Sequence, residues 1–218
     1  METTLREGDI SFTFHGTAVK FDETKFYRNQ FLKRTSGKGM DFIAVSSGQV
    51  LLMEVKDCRE DEINNLWRIS PNNRLLGIAP DEYRRRDSLD IEVAKKVLFT
   101  IPCLYGGWTR IQERISGGYL NELNQEEQAY RKIWEAMQSK TLYPQISNLW
   151  VILFLEGSFG SDSPNGGVMS RQNSKIMKSL KADIKQKLSW LHCEVDVVNS
   201  RTYKRSSGYT VELHPHTV

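Results

Sequence analysis

Apolar residues recur along this chain in short stretches, and their spacing predicts an alternation of strands and helices. From Ile10 to Phe14 every second residue is apolar, which is typical of a strand at a sheet edge or in a second layer. The run from Leu149 to Leu155 is apolar throughout, which is typical of a strand covered on both sides, as in parallel sheets with helices on each face. Alternating residues predict further strands at 193–197 and 209–213.

Helices are predicted where apolar residues recur every three or four positions. Their expected spans are residues 23–33, residues 89–100, a stretch that starts at 124, and residues 174–191. Asp22 is placed to cap the first helix, and Pro102 is expected to end the second. Asn124 and Glu127 have the spacing of a capping box at the start of the third helix. The fourth is amphipathic, with lysines along its outer face.

The most informative motif consists of two apolar runs separated by a Ser/Gly turn, which predicts a β-hairpin. Whether the loop has two or four residues, Val45 pairs with Val50, and the same register places Asp41 opposite Glu54. Side chains alternate between the two faces of a strand, so Lys56 shares a face with both acids. The rest of that face is apolar, and its polar groups are confined to one end of the hairpin.

This polar end has the composition of a cation site. Two carboxylates directly opposite each other repel, so a compensating positive charge is expected. A hard divalent cation takes oxygen ligands, and a neighbouring ammonium group can position water or stabilise developing negative charge. The cluster therefore favours metal-assisted hydrolysis. The alternative is that Glu54 and Lys56 form a solvated strand end, with Asp41 in the turn before it.

Residues 39–44 (GMDFIA) and 53–56 (MEVK) resemble the signature of the PD-(D/E)xK nuclease superfamily, which includes many restriction endonucleases and Holliday-junction resolvases. Met40 stands where the proline that gives the superfamily its name would be. The resemblance implies that Asp41 and Glu54 are metal ligands, that the Val55 carbonyl is a candidate third ligand, and that Lys56 orients the attacking water. It also implies Mg²⁺ as the cofactor, for which Mn²⁺ can substitute. The two segments cover less than a tenth of the chain.

In the same superfamily an acidic residue on the first helix often completes the metal site, and Glu23 is the candidate for it here. The helix dipole alone also favours an acid in the first helical turn, so this alternative stays open. Members usually have a strand between the first helix and the strand that carries the aspartate, and the loop at residues 34–39 leaves no room for one. Either the strand from Ile10 to Phe14 takes that place or the helix is assigned wrongly.

Basic residues before and after the hairpin are candidates for contacts with phosphate, although charged residues in loops are often simply solvated. These candidates are Lys38, Arg59, Arg84, Arg85 and Arg86. For Arg59 a pairing with the neighbouring Asp57 is the alternative.

Composition narrows the class of protein without selecting a function. Of 218 residues, 39% are hydrophobic and 26% charged, as in soluble globular proteins, and we expect one domain over residues 1–218. A net charge of +3 is compatible with a polyanionic partner. The start of the chain is polar and lacks a signal-peptide pattern, and no apolar run reaches the length of about 18 residues needed to cross a membrane. We therefore expect a cytoplasmic protein without membrane contact.

Together these patterns predict an α/β fold, with a mixed central β-sheet flanked by helices, of the restriction endonuclease-like kind that the resemblance implies. The expected function is that of a metal-dependent nuclease, with DNA favoured over RNA, in defence, restriction or repair. The alternatives are a non-catalytic nucleic-acid-binding or assembly subunit with the same fold, and an RNA-cleaving effector. Enzymes of this class often need a dimer to cut both strands, so a homodimer or a partner protein is also open.

Overall fold

The structure, a computed structural model, describes residues 2–35, 37–73, 87–138, 148–159, 171–204 and 208–215. Within these ranges the strands are β1 (Thr3–Glu7), β2 (Ile10–Phe14), β3 (Gly16–Lys20), β4 (Phe42–Ser46), β5 (Gln49–Asp57), β6 (Leu149–Glu156), β7 (Glu194–Val198) and β8 (Tyr209–Leu213). The α-helices are α1 (Lys33–Thr35), α2 (Glu62–Asn65), α3 (Leu89–Ser116), α4 (Gln125–Gln138) and α5 (Arg171–Lys187). A π-helix, Tyr27–Leu32, runs directly into α1, and 3₁₀ turns lie at Phe21–Glu23, Pro71–Asn73 and Leu120–Glu122.

The strands form a five-stranded sheet in the order β3-β4-β5-β6-β7 and a three-stranded sheet in the order β1-β2-β8. Strands β3, β4 and β5 are antiparallel neighbours, whereas β5, β6 and β7 run parallel. The larger sheet is therefore mixed, with the predicted hairpin strand β5 at its centre. The prediction of an α/β protein with a mixed central sheet is confirmed. Among the described residues, no helix combines the length and apolar character needed to span a bilayer.

The register of the hairpin is confirmed. Val45 pairs with Val50, and the ladder continues to Phe42 and Met53. Ser47 and Gly48 form the turn with φ angles of 50° and 77°. Two successive residues with positive φ are typical of a type I′ turn, whose twist matches that of the paired strands.

The two faces of the large sheet bury different layers. Residues that alternate along β5 and β6, such as Leu52 and Leu153, pack with α3, α4 and α5 in one core. The intervening residues pack against the three-stranded sheet in a second core, where the ring centroids of Phe12 and Phe154 lie 4.9 Å apart. The expectation of helices on both sides of β6 is wrong, because a strand that is apolar on both faces needs two covers and a second sheet provides one of them.

The long helix α3 corrects the predicted boundary at Pro102, which lies inside the helix rather than after it. Proline removes one helical hydrogen bond, to the carbonyl of Leu98 four residues earlier. Leu98 is on the exposed side of the helix, where water can donate a hydrogen bond to its carbonyl instead. Residues on both sides of the proline, including Val97 and Leu104, are buried in the core, so tertiary packing outweighs the local cost.

The start of the first helical segment is also corrected. Asp22 and Glu23 lie in a 3₁₀ turn, and the helical residues begin after Thr24, whose hydroxyl accepts from the Tyr27 N–H at 3.4 Å. The Glu126 carboxylate, on α4, accepts the first two N–H groups of this helical segment at 2.9 and 3.0 Å. An acid from a distant part of the chain thus accepts the N–H groups at the start of the helix, where the sequence predicted Asp22 as the cap.

Strand β3 pairs antiparallel with β4 and precedes the helical segment in the chain. Of the two alternatives open from the sequence, the placing of Ile10 to Phe14 beside β4 is wrong, since this strand pairs with β1 and β8 in the second sheet. Gly16–Lys20 escaped prediction because it has no alternation of apolar and polar residues.

The remaining predicted elements are confirmed, although α5 runs over Arg171–Lys187 and not over residues 174–191. The backbone and side chains of Asn124 and Glu127 bond reciprocally at 2.9 Å, as a capping box requires. Along α5, Leu180 and Ile184 are buried while the lysines of the outer face are exposed. Strands β6, β7 and β8 lie where they were expected, within one or two residues.

Candidate active site at the end of the hairpin

The hairpin carries its acids and its lysine to one point, as the register requires. Asp41 directly precedes β4, and its backbone N–H donates to the Met53 carbonyl at 3.1 Å, which places it across from Glu54. Glu54 is completely buried and Asp41 is 5% exposed. Lys56 lies on the same face at the end of β5, and its side chain is 17% exposed. The sheet thus holds two carboxylates and an ammonium group in a site that is largely closed to water.

A fourth residue, Lys96 of α3, lies between the two acids. Its Nζ is 3.0 Å from Asp41 Oδ1 and 2.6 Å from each carboxylate oxygen of Glu54. Sequence reasoning missed this residue. The signal that could have found it is its position on α3, where it shares a buried face with Val93 and Val97. A lysine on an apolar helix face needs a buried partner, and this one has two.

The charged groups continue outward as a chain of alternating sign. Lys56 Nζ lies 2.6 Å from Glu54 Oε1 and 3.1 Å from Glu92 Oε1. The second Glu92 oxygen lies 2.9 Å from the Arg68 guanidinium group. With Asp41 and Lys96 included, three acids alternate with three bases. We call these six residues the charge network: Asp41, Lys96, Glu54, Lys56, Glu92 and Arg68.

Backbone hydrogen bonds fix the orientation of Asp41. Its Oδ2 accepts from the Val55 N–H at 2.8 Å, and its carbonyl accepts from the Phe21 N–H at 2.7 Å. The N–H of the preceding residue, Met40, donates to the Thr100 hydroxyl at 2.9 Å. Because Thr100 lies one turn beyond Lys96 on α3, the helix is anchored to the start of β4 by two polar contacts. That the Val55 carbonyl ligates a metal stays a prediction.

Burial and neighbouring charge shift the titration of this network. Burial, with the nearby charge of Asp41, raises the pKa of Glu54 to about 7. Burial alone would lower the pKa of Lys96, but the two carboxylates outweigh it and raise that pKa above its ordinary value. Glu92 has its pKa lowered, because Lys56 and Arg68 outweigh the effect of its burial. Lys96 therefore stays protonated at neutral pH, while Glu54 titrates near it.

The other candidate residues lie apart from this network. Glu23 forms ion pairs with Lys20 at 3.1 Å and with Arg28 at 3.7 Å, and the structure does not join it to Asp41 or Glu54. The neighbouring Asp22 does interact electrostatically with the site, since burial and the charge of Asp41 raise the pKa of Asp22 to about 6.

Of the basic candidates, Lys38 is exposed on the loop that leads to Asp41. Tyr27 pins this loop, because its hydroxyl donates to the Gly37 carbonyl at 2.9 Å and accepts from the Gly39 N–H at 2.8 Å. Arg59 pairs with Asp57, with Nε at 2.8 Å from Oδ1, and donates to the His214 carbonyl at 3.2 Å. These bonds tie the end of β5 to the end of β8. Arg84, Arg85 and Arg86 lie outside the described residues.

The two acids at the end of the hairpin are the candidate ligands of a divalent cation. Three carboxylate oxygens of Asp41 and Glu54 converge within 3.0 Å of one point, which is the convergence of oxygen ligands that Mg²⁺ takes. That point holds the Lys96 ammonium group. Within the described ranges, no group of three or more His, Cys, Asp or Glu residues could hold a metal ion. The two acids therefore suit a divalent cation in their chemistry, provided that Lys96 withdraws.

The fold and site define a mixed α/β protein with a largely buried charge network at one end of the hairpin in its central sheet. A family model described as a family of unknown function (DUF6661) matches residues 24–209. The chain belongs to this family, and the matched range includes the whole charge network. No curated protein and no solved structure matches the chain.

Proposed function

We propose that this protein is a Mg²⁺-dependent nuclease that hydrolyses phosphodiester bonds of nucleic acid, with DNA as the favoured substrate, on a restriction endonuclease-like fold. The observation that carries the proposal is the convergence of Asp41, Glu54 and Lys56 at the end of the central hairpin. The resemblance of residues 39–44 and 53–56 to the PD-(D/E)xK signature gives those three residues their roles. A central sheet with the acidic hairpin at its middle agrees with that resemblance.

The chain's own residues have distinct tasks in this proposal. Asp41 and Glu54 supply the carboxylate oxygens for the cation, which when bound neutralises charge on the scissile phosphate and makes water a better nucleophile. The Val55 N–H keeps the Asp41 carboxylate in place. Lys56, held between Glu54 and Glu92, has a side chain that is 17% exposed, more than that of Glu54 or Lys96, so its ammonium group can donate to water or to a phosphate oxygen. Lys38 on the adjoining loop supplies a positive charge for the nucleic-acid backbone.

The experiment is a cleavage assay with supercoiled plasmid, linear duplex, single-stranded DNA and RNA, each with Mg²⁺, Mn²⁺ or EDTA. We expect cutting that requires the metal and that falls about 100-fold or more in Glu54→Gln and Lys56→Ala, by the usual effect of removing one such group. Lys181→Ala on α5 is the matched control, since it also removes an ion-paired lysine, one on the exposed surface. Full activity in a folded Glu54→Gln or Lys56→Ala protein would refute the proposal.

A second candidate function is a non-catalytic nucleic-acid-binding or assembly subunit with the same fold. The observation in its favour is the Lys96 ammonium group, which already satisfies both acids. Binding that is sensitive to salt, independent of metal and without cleavage would support this function. An effector that cuts RNA uses the same chemistry as the first proposal, and the substrate panel distinguishes it.

A further inference from the structure

The position of Lys96 carries an inference about how the acids acquire a metal. Its Nζ lies within 3.0 Å of carboxylate oxygens from both Asp41 and Glu54. A single ion seated between those acids would occupy the same point. The Lys96 side chain is almost fully buried, so its ammonium group is a buried ion-pair partner of the acids and not a surface charge.

A divalent cation and the Lys96 ammonium group cannot share this position. Mg²⁺ binds oxygen at about 2.0–2.1 Å, closer than the ammonium group does, and needs the same lone pairs. Two cations at adjacent points in a buried site also repel each other strongly, because little water is present to screen them. Lys56 Nζ also lies 2.6 Å from Glu54 Oε1, so the two acids have no spare negative charge to hold both a divalent cation and Lys96.

The helix provides a second partner for a displaced Lys96. Glu92 lies four residues earlier on α3, which is the spacing and the order that favour an ion pair on one helix face. The Glu92 carboxylate is partly exposed and at present binds Lys56 and Arg68. A rotation of the lysine side chain toward the start of α3 would bring its ammonium group from one acid of the charge network to the next.

We infer that Lys96 is a built-in counter-cation that competes with a divalent metal for Asp41 and Glu54, and that moves to Glu92 when the metal binds. This inference rests on the proposed function, because it takes a divalent cation as the ligand of the two acids. Lys96 is in this sense a positioning residue. It holds the carboxylates in place without metal, and it sets the metal concentration at which they change partner.

The first test measures Mn²⁺ binding by electron paramagnetic resonance in wild type, Lys96→Met and Lys95→Met. Removing the competitor leaves the acids always accessible, so Lys96→Met should bind Mn²⁺ about tenfold more tightly or better. Lys95→Met is the matched control, since Lys95 is the next residue on the helix and pairs with Asp87 on the surface. Its affinity should equal that of wild type. Equal or weaker binding by Lys96→Met would overturn the inference.

The second test measures wild-type protein, and the conservative variant Lys96→Arg serves only to assign a signal. Spectra of the side-chain ammonium groups are recorded for wild-type protein labelled with ¹⁵N-lysine, during titration with Mg²⁺. The Lys96 signal, identified by its loss in Lys96→Arg, should shift as the metal saturates its site. An unchanged signal at saturation would show that the lysine and the metal coexist, which overturns the inference.

Cleavage assays separate the inference from the proposed function. If wild type cuts nucleic acid but Lys96→Met binds Mn²⁺ no more tightly, the inference fails and the nuclease stands. If Lys96→Met binds more tightly but no protein cuts any substrate, the inference stands and the nuclease fails. If neither wild type nor Lys96→Met binds Mn²⁺, both fail.

Discussion

Replacing Lys96 by methionine is the perturbation with the largest expected effect on stability. The variant keeps the length and the apolar stem of the side chain but leaves two carboxylates buried with one fewer positive partner. Removing one member of a buried ion pair costs about 3–5 kcal/mol, mainly because the other charge stays buried and uncompensated. We expect a loss of this size at pH 8 without divalent metal. The surface variant Lys95→Met should change stability by no more than about 0.5 kcal/mol.

The loss of stability in Lys96→Met should be larger at high pH than at low pH, because of the environment of Glu54. Burial raises the pKa of Glu54 from 4.5 to about 7, so its protonated form favours the folded state. That contribution is complete below pH 4.5 and disappears as the pH rises through about 7. At pH 5 Glu54 in the variant is a neutral acid that no longer needs Lys96. The cost should then fall to about 1–2 kcal/mol, the value of the lost hydrogen bonds.

The assay is unfolding in urea at pH 5 and at pH 8, in EDTA, followed by fluorescence of the five tryptophans. The difference between Lys96→Met and wild type should be at least about 1 kcal/mol larger at pH 8 than at pH 5. A loss below about 1 kcal/mol at pH 8, or the same loss at both pH values, would refute the argument that Lys96 compensates buried carboxylates.

Three further predictions concern other residues. Asp22→Asn should stabilise the protein at pH 8 and not at pH 3. Burial and Asp41 raise the pKa of Asp22 from 3.8 to about 6, so the ionised carboxylate opposes folding above that range. Equal effects on urea unfolding at both pH values would contradict this. Gly48→Ala should cost about 1 kcal/mol, measured as a lower thermal midpoint, since Gly48 has a φ of 77° in the turn; Gln49→Ala is its control. Glu23→Gln should cleave nucleic acid at the wild-type rate, because Glu23 pairs with Lys20 and Arg28. A loss of cleavage rate above about tenfold would show that Glu23 takes part in the site.

The hairpin could be predicted from sequence because its determinants are local. A Ser/Gly turn fixed the pairing of Val45 with Val50, and alternation then fixed which side chains share a face with Glu54. The capping box at Asn124 and Glu127 was predictable for the same reason, since three residues separate its members. Each of these features depends on spacing along the chain and needs no knowledge of how distant elements pack.

The features that escaped prediction depend on contacts between distant parts of the chain. Lys96 reaches Asp41 and Glu54 across 55 and 42 residues. Local rules also placed the end of a helix at Pro102, whereas burial on both sides of it carries α3 onward. Glu126 replaced Asp22 at the start of the first helical segment for the same kind of reason. In each case a partner from elsewhere in the chain outweighed the local preference.

The balance of charge in the network suggests why metal and substrate would bind together in a nuclease of this design. The six residues of the charge network sum to zero when all are ionised. A divalent cation alone would leave the network with an excess of two positive charges, which low screening in its buried part makes costly. A phosphodiester brings one negative charge and reduces that excess. Each ligand therefore lowers the cost of binding the other, and by linkage the effect is reciprocal. Without substrate, the ion pairs of Lys96 compete more effectively with the metal, so the proposed nuclease should need a higher metal concentration than when nucleic acid is bound.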